Sequence, residues 1–229
     1  QSRNLSDFKG KVVVLFFGYT QCPDVCPTSM TELAEVKRLL GKEGDKLQGV
    51  FITVDPARDT AELLKAYMGN FDPSFVAFIP TPDQLAAFSN SQLQSIPDAM
   101  MSSINTTALR GLSGSQLQSL RDSQITSLSS GQIAALQNTQ LGGMAPAQIG
   151  IMLNAQIASI TPAQIRALTL DQIGAVTVEQ IPSITNEAIQ NMYASQLAGF
   201  SVTQLNAFSA VQRATVNDPA NNSITTQLS

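Results

Sequence analysis

The chain has 229 residues, of which 43% are hydrophobic and only 13% are charged, and its net charge is −4. This balance supplies apolar residues for a packed core but no basic surface for nucleic acid or anionic lipid. Histidine is absent from the sequence, which excludes histidine general bases, Ser-His and Cys-His nucleophile pairs and imidazole metal ligands. Most hydrolase mechanisms are excluded with them. The polar start lacks the apolar segment of a signal peptide, so we expect any targeting segment to lie upstream.

The first eighty residues alternate between strand and helix patterns. Residues 12–17 are uninterruptedly apolar, which predicts a central strand buried on both faces. A cysteine-containing loop follows, and apolar residues at helical spacing then predict a helix over 28–40. Residues 50–54 predict a second buried strand, residues 59–68 a second helix and residues 75–79 a third strand. This order is typical of parallel βαβ units, so we predict an α/β fold.

The composition changes near residue 80. All six lysines lie before residue 81, whereas the second half is rich in Gln, Ser, Ala, Ile and Leu. We therefore predict three segments: an α/β domain over 1–80, a repeat tract over 81–216 and a polar, unstructured tail over 217–229.

The tract from residue 81 to residue 216 consists of seventeen eight-residue copies without an insertion. Position 8 is apolar in all seventeen copies, position 5 in sixteen, and position 4 is glutamine in fourteen. Such regularity indicates a repeat architecture, in which one copy cannot bury its apolar face alone and stability grows with copy number.

Each octad is predicted to form a helix of about two turns followed by a corner. Positions 5 and 8 share a face on a helix but not on a strand. Ser or Thr at position 1 with Gln at position 4 is a capping-box pattern, and Pro146 and Pro162 occupy the first helical slot. One continuous helix is excluded, because eight residues overshoot two turns by ~80° and the apolar stripe would spiral away. We predict an α-solenoid, with a β-solenoid as the alternative, and interpret the glutamine column as a cap or a hydrogen-bond ladder.

The only two cysteines of the chain, Cys22 and Cys26, are four residues apart after the first predicted strand. The spacing is neither that of common Cys-x-x-Cys oxidoreductases nor half of a four-cysteine zinc site. Thiolates at this place suit Cu(I), and a helix beginning near Pro27 is expected to lower the thiol pKa. The same pair could instead close a disulfide or be two ordinary half-buried cysteines.

Residues 7–27, DFKGKVVVLFFGYTQCPDVCP, together with residues 53–60 and 71–75, closely resemble the SCO/SenC family. The resemblance covers about a third of the chain and stops near residue 81. It implies a thioredoxin-like fold in a membrane-anchored protein of the periplasm or mitochondrial intermembrane space. It also implies copper binding by Cys22 and Cys26, and help in assembling the copper centre of cytochrome c oxidase, whose copper-bearing subunit would be the partner. The family's third copper ligand is a histidine, which this chain lacks, and the strands expected around that histidine are missing.

Five further residues are candidates for the site. Met30 lies one helical turn beyond Cys26 and could be a thioether ligand, but we interpret it as a core residue. Asp55, Arg58 and Asp59 follow a strand end and are interpreted as a turn and a helix cap. Asp24, between the cysteines, is interpreted as a solvated loop acid.

Three functions remain open at this point. The first is a copper-binding metallochaperone with Cys22 and Cys26 as ligands, and the second is a thiol–disulfide reductase that uses the same pair. The third is a non-enzymatic surface or interaction protein in which the repeats are the working part. The sequence favours the first, in the periplasm or facing it, with a secreted or cell-surface location as the alternative.

Overall fold

The structure is a computed structural model that describes residues 5–56, 58–81, 84 and 86–216. Two compact units are present. The first comprises the described residues up to 84 together with Ser103–Asn105, and the second comprises Ala86–Ser102 and the described residues from Thr106 onward. Across the described ranges, no helix combines the length and apolar character needed to cross a bilayer.

The first unit is built on a parallel three-stranded sheet whose strand order is β1-β2-β3. Its strands are β1 (Val12–Gly18), β2 (Leu47–Thr53) and β3 (Val76–Phe78). Helix α1 (Val25–Leu39) connects β1 to β2, and helix α2 (Ala61–Gly69) connects β2 to β3. Short 3-10 helices cover Leu5–Phe8 and Gly41–Lys46. The predicted α/β alternation is confirmed, although α1 begins three residues earlier than predicted and so includes Cys26.

The core of the first unit lies between the sheet and the two helices. Its fully buried members come from both helices, from β2 and from the segment before β3: Met30, Phe51, Leu64, Met68 and Phe75. The Thr60 hydroxyl accepts a hydrogen bond from the Leu63 N–H and thereby caps α2. Met30 is completely buried in this cluster, which confirms its interpretation as a core residue.

The prediction that β1 is buried on both faces is wrong. β1 is an edge strand of the sheet, and Val12 and Leu15 are 65% and 39% exposed. Both helices pack on the side of the sheet that carries Phe16 and Phe51, so they leave Leu15 on the opposite side uncovered. An apolar run alone does not distinguish a strand that is covered on both sides from one that is not.

The second unit consists of short helices, one for nearly every octad. The α-helices are α3 (Asn90–Gln94), α4 (Asp98–Met101), α5 (Thr106–Arg110), α6 (Gly114–Ser119), α7 (Asp122–Thr126), α8 (Ser130–Ala135), α9 (Asn138–Gly142), α10 (Pro146–Gly150), α11 (Asn154–Ala158), α12 (Pro162–Ile165), α13 (Leu170–Ala175), α14 (Asn186–Gln190), α15 (Ala194–Leu197), α16 (Val202–Ala207) and α17 (Ala210–Val216). A 3-10 helix, Ile181–Ser183, occupies the octad between α13 and α14.

The helical reading of the octads is confirmed, but each helix is shorter than the two turns predicted. The described part of this unit contains no strand. Prolines 146 and 162 occupy the first helical position, as the pattern predicted. The predicted tail, residues 217–229, lies outside the described residues.

Apolar residues at octad positions 5 and 8 form the core of the second unit. Position 8 is buried in every octad from residue 89 to residue 216, and position 5 is buried in all of these except at Leu205 and Arg213. Each helix packs against the helix three octads further on, as α10 does against α13. The residues that recur at helical spacing are therefore the residues that make the contacts between copies.

The glutamine column forms a hydrogen-bond ladder inside the second unit. Each Oε1 accepts from the backbone N–H of its own position 1; in Gln140 this donor is Gln137, at 2.9 Å. Each Nε2 from Gln116 onward donates to carbonyls four octads earlier, in Gln140 those of Leu109 (3.0 Å) and Leu112 (2.6 Å). One buried amide thus connects the start of its own helix to the turn four octads earlier, which confirms the ladder interpretation. The bond to position 1 forms even at Ala145 and Leu153, which have no capping hydroxyl.

Candidate metal centre at the carboxyl end of strand β1

The two cysteines lie in the loop after β1 and in the first turn of α1. Cys26 is in the first turn of α1 and completely buried, and Cys22, in the preceding loop, is 7% exposed. Both thiols are free. The Cys26 N–H donates to the Cys22 Sγ at 3.3 Å, and the Cys22 N–H donates to the Tyr19 carbonyl at 3.1 Å. The structure thus brings together the two residues that the sequence selected.

A glycine at the end of β1 allows the Cys26 sulfur to sit against the strand. A Cβ atom on Gly18 would lie 2.9 Å from the Cys26 Sγ and 2.9 Å from the ring of Phe51. Such contacts are far shorter than real carbon contacts, so a larger residue would displace the sulfur or the ring. The close approach of backbone, thiol and aromatic ring therefore depends on glycine at this position.

The expectation of a lowered thiol pKa is wrong for Cys26. Burial raises the pKa of the Cys26 thiol to about 12, and a hydrogen bond with the Cys22 side chain acts in the same direction. A backbone hydrogen bond from Tyr19 opposes the rise without cancelling it. Removal from water dominates here because the thiolate is the charged form of the group.

The turn after β2 holds the cysteine loop in place. The Asp59 carboxylate, 1% exposed, accepts from the Thr20 N–H (3.2 and 3.1 Å), the Thr20 hydroxyl (2.5 Å) and the Thr53 hydroxyl (2.6 Å). Arg58 is ion-paired with Asp55 and donates to the Gln21 side chain at 3.5 Å. The interpretation of this cluster as a turn is confirmed, but the helix cap is Thr60 rather than Asp59. The signal for Asp59 was its place after a strand end; its partners were not visible in the sequence.

The donor set of this site is limited to sulfur. Within the described residues, no group of three or more His, Cys, Asp or Glu side chains is arranged to hold a metal ion. Asp24 is exposed and Met30 is in the core, so neither joins the cysteines. Two thiolates without a further ligand suit a soft cation of low coordination number, and the neighbouring sulfurs can also be oxidised to a disulfide.

The rate of alkylation of Cys26 is expected to keep rising with pH beyond the ordinary pKa of a thiol. In the Cys22→Ser variant, the rate with iodoacetamide should rise about tenfold per pH unit from about pH 7 to about pH 10, because only the thiolate reacts and its fraction grows tenfold per unit below the pKa. In denaturant the thiol of the same variant has its ordinary pKa near 9.0. Its alkylation rate should therefore level off above that pH. A plateau of the folded protein at pH 9 would contradict the raised pKa.

Fold and site together define an α/β unit that carries a buried pair of free thiols at the carboxyl end of a parallel strand. Residues 1–96 match the family model described as SCO1/SenC. The N-terminal part of the chain is thus similar to the SCO family.

Curated relatives match the same part of the chain. The SCO2-like protein of Rickettsia felis is 39% identical over 82 residues, which are 36% of this chain and 40% of that protein. The human mitochondrial SCO2 homolog is 39% identical over 93 residues, which are 40% of this chain and 35% of that protein. The chain thus spans well under half the length of the relatives it matches.

Solved structures also match over the N-terminal part. The Bradyrhizobium japonicum ScoI structure with copper bound is 48% identical, with a TM-score of 0.33, over 34% of this chain and 50% of that one. The structure of yeast Sco1 with copper bound is 39% identical, with a TM-score of 0.31, over 34% of this chain and 44% of that one.

Proposed function

We propose that the N-terminal unit, residues 1–80, is a thioredoxin-like copper-binding module of the metallochaperone kind, with Cys22 and Cys26 as the Cu(I) ligands. The observation that carries the proposal is the pair of free, buried thiols after β1, in which the Cys26 N–H donates to the Cys22 Sγ. The similarity of this segment to the SCO family supports copper as the cargo.

The chemistry of the pair favours the reduced metal. Cu(I) is a soft ion that thiolates select, and two of them can hold it in a linear arrangement. Binding must release the thiol protons, because the thiolate is the ligand. With no histidine in the chain, the site lacks the imidazole that suits Cu(II), so we expect Cu(II) to bind weakly.

The partner and the compartment are proposed on the same resemblance to the SCO family. We expect the copper to be passed to the copper-bearing subunit of cytochrome c oxidase, on the periplasmic side of a membrane. Transfer between two soft-ligand sites needs one thiol of the donor to be reachable by the acceptor, and Cys22 is the thiol that retains some exposure.

Copper uptake by the reduced protein tests the proposal. Wild type is expected to bind one Cu(I) per chain in competition with a chelator, with a thiolate-to-copper charge-transfer absorption in the ultraviolet. Cys22→Ser and Cys26→Ser should each lose this absorption and most of the affinity, while Asp24→Asn, which changes an exposed side chain between the cysteines, should bind as wild type does. Copper uptake by both serine variants equal to that of wild type would refute the copper proposal.

A thiol–disulfide reductase is the alternative use of the same residues. The hydrogen bond that the Cys26 N–H donates to the Cys22 Sγ supports this use, because it holds the Cys22 sulfur against the residue that carries the second thiol. However, a thiol with a pKa near 12 is almost entirely protonated at neutral pH, so Cys26 would be a poor attacking group. A redox titration that gives a reversible Cys22–Cys26 disulfide in the metal-free protein would favour the reductase, and inertness of both thiols would exclude it.

For residues 81–216 we propose an α-solenoid that serves as a scaffold for interaction with another protein. The glutamine ladder supports this architecture, because every rung joins octads four copies apart. The buried amides are fully used in these bonds, so the glutamines themselves have no catalytic role in this proposal.

A further inference from the structure

Tyr67 has a buried hydroxyl without a hydrogen-bond partner. Among the buried side-chain polar atoms of the described residues, it is the one that lacks any partner. A buried hydroxyl left unpaired is costly, so its presence in a folded protein needs a physical explanation. From the pattern of residues alone, Tyr67 is one more member of the apolar face of α2.

The surroundings of this hydroxyl connect it to the thiol site. The ring of Tyr67 packs edge-on against Phe51, with 5.6 Å between centroids, and against Phe71 at 5.0 Å. Phe51 in turn reaches Gly18, where its ring lies beside the Cys26 sulfur. Burial raises the pKa of Tyr67 to about 12, and the charges of Cys26, Cys22 and Asp59 add to this rise, in that order. Phe51 thus contacts Tyr67 on one side and lines the place of the Cys26 sulfur on the other. The nearby Asp59 carboxylate is already occupied by Thr20 and Thr53.

We infer that Tyr67 is a positioning residue of the thiol site, whose hydroxyl donates a hydrogen bond to a cysteine sulfur once that sulfur binds a soft metal ion. The inference rests on the proposed copper function. In the metal-free protein Cys26 is a neutral thiol, which is a weak acceptor, and the hydroxyl stays unpaired. A metal-bound thiolate carries negative charge and is a strong acceptor, so the bond forms in the loaded state.

The Tyr67→Phe variant separates this role from a merely structural one. Cu(I) affinity, measured by chelator competition, is expected to fall about 10- to 100-fold, the equivalent of one hydrogen bond to a charged group. The charge-transfer absorption should also shift, because the sulfur loses a donor. The metal-free variant should be as stable as wild type or more stable, since it no longer buries an unpaired hydroxyl. Tyr193→Phe, which removes an exposed tyrosine hydroxyl in the second unit, should leave affinity and absorption unchanged.

The outcomes distinguish the inference from the function on which it rests. Wild-type affinity and absorption in Tyr67→Phe, together with loss of copper in Cys22→Ser, would overturn the role of Tyr67 and leave the copper site intact. Lower stability of the metal-free Tyr67→Phe protein would show that the hydroxyl has a structural partner, and this would also overturn the inference. Equal copper uptake by wild type and Cys22→Ser would instead refute the proposed function itself.

Discussion

Replacing Asp59 by alanine is expected to destabilise the N-terminal unit by about 3–5 kcal/mol. The substitution leaves three donors without an acceptor: the Thr20 N–H, the Thr20 hydroxyl and the Thr53 hydroxyl. The Thr53 hydroxyl is completely buried and Thr20 is half-buried, so water replaces the lost bonds only in part. Copper affinity should fall as well, because the loop that carries Cys22 is fixed to β2 through these bonds.

Graded variants make the Asp59 prediction specific. Asp59→Asn should cost less, about 1–2 kcal/mol, because its amide oxygen still accepts from the Thr20 N–H while its amino group can donate to a threonine hydroxyl. Asp24→Ala, at an exposed acid of the same loop, should change stability by less than about 0.5 kcal/mol. Native-state hydrogen exchange of the β2 amides measures these effects without interference from the helical repeats. Equal protection in wild type and Asp59→Ala would contradict the account.

The Gln156→Glu substitution is expected to have the largest effect in the repeats, about 3–5 kcal/mol. Gln156 is 1% exposed; it accepts from Leu153 N–H at 2.8 Å and donates to the carbonyls of Ile125 (2.8 Å) and Leu128 (2.7 Å). A carboxylate cannot donate, so one of its oxygens would face two carbonyl oxygens in a dry interior. The measurement is the urea midpoint followed by the helical signal in circular dichroism.

Two controls accompany this prediction. Gln190→Glu introduces the same charge at an exposed position of α14 and should move the midpoint little. The defect of Gln156→Glu should shrink as the pH falls: burial raises the folded-state pKa of the new carboxyl, so stability is retained below its unfolded pKa and lost as the pH rises through the folded value. A Gln156→Glu midpoint equal to that of Gln190→Glu at neutral pH would show that the ladder does not stabilise the repeats.

The sequence predicted those features that arise from local periodicity. Apolar runs and helical spacing placed three strands and two helices in order, and the octad pattern identified positions 5 and 8 as the core and position 4 as a ladder. These inferences succeed because side-chain direction in a helix or strand is fixed by the backbone. The cysteine pair was found in the same way, since both residues lie within one short loop and helix start.

What the sequence did not predict depends on contacts between distant segments. The hydrogen bond that the Thr20 hydroxyl donates to Asp59 joins residues 39 positions apart. The contact of Tyr67 with Phe51, whose ring lines the thiol site, results from packing between α2 and β2. The edge position of β1 and the raised pKa of Cys26 likewise follow from which surfaces are covered. Such properties are set by tertiary burial, which a local pattern does not encode.

X-ray absorption at the copper edge tests the central claim most directly, because it counts the atoms bound to the metal. The Cu(I)-loaded wild-type protein should show two sulfur neighbours, and Cys22→Ser and Cys26→Ser, loaded at high copper concentration, should each show one. A first shell of nitrogen and oxygen in wild type, or two sulfur neighbours that persist in either serine variant, would contradict the assignment of Cys22 and Cys26 as the copper ligands.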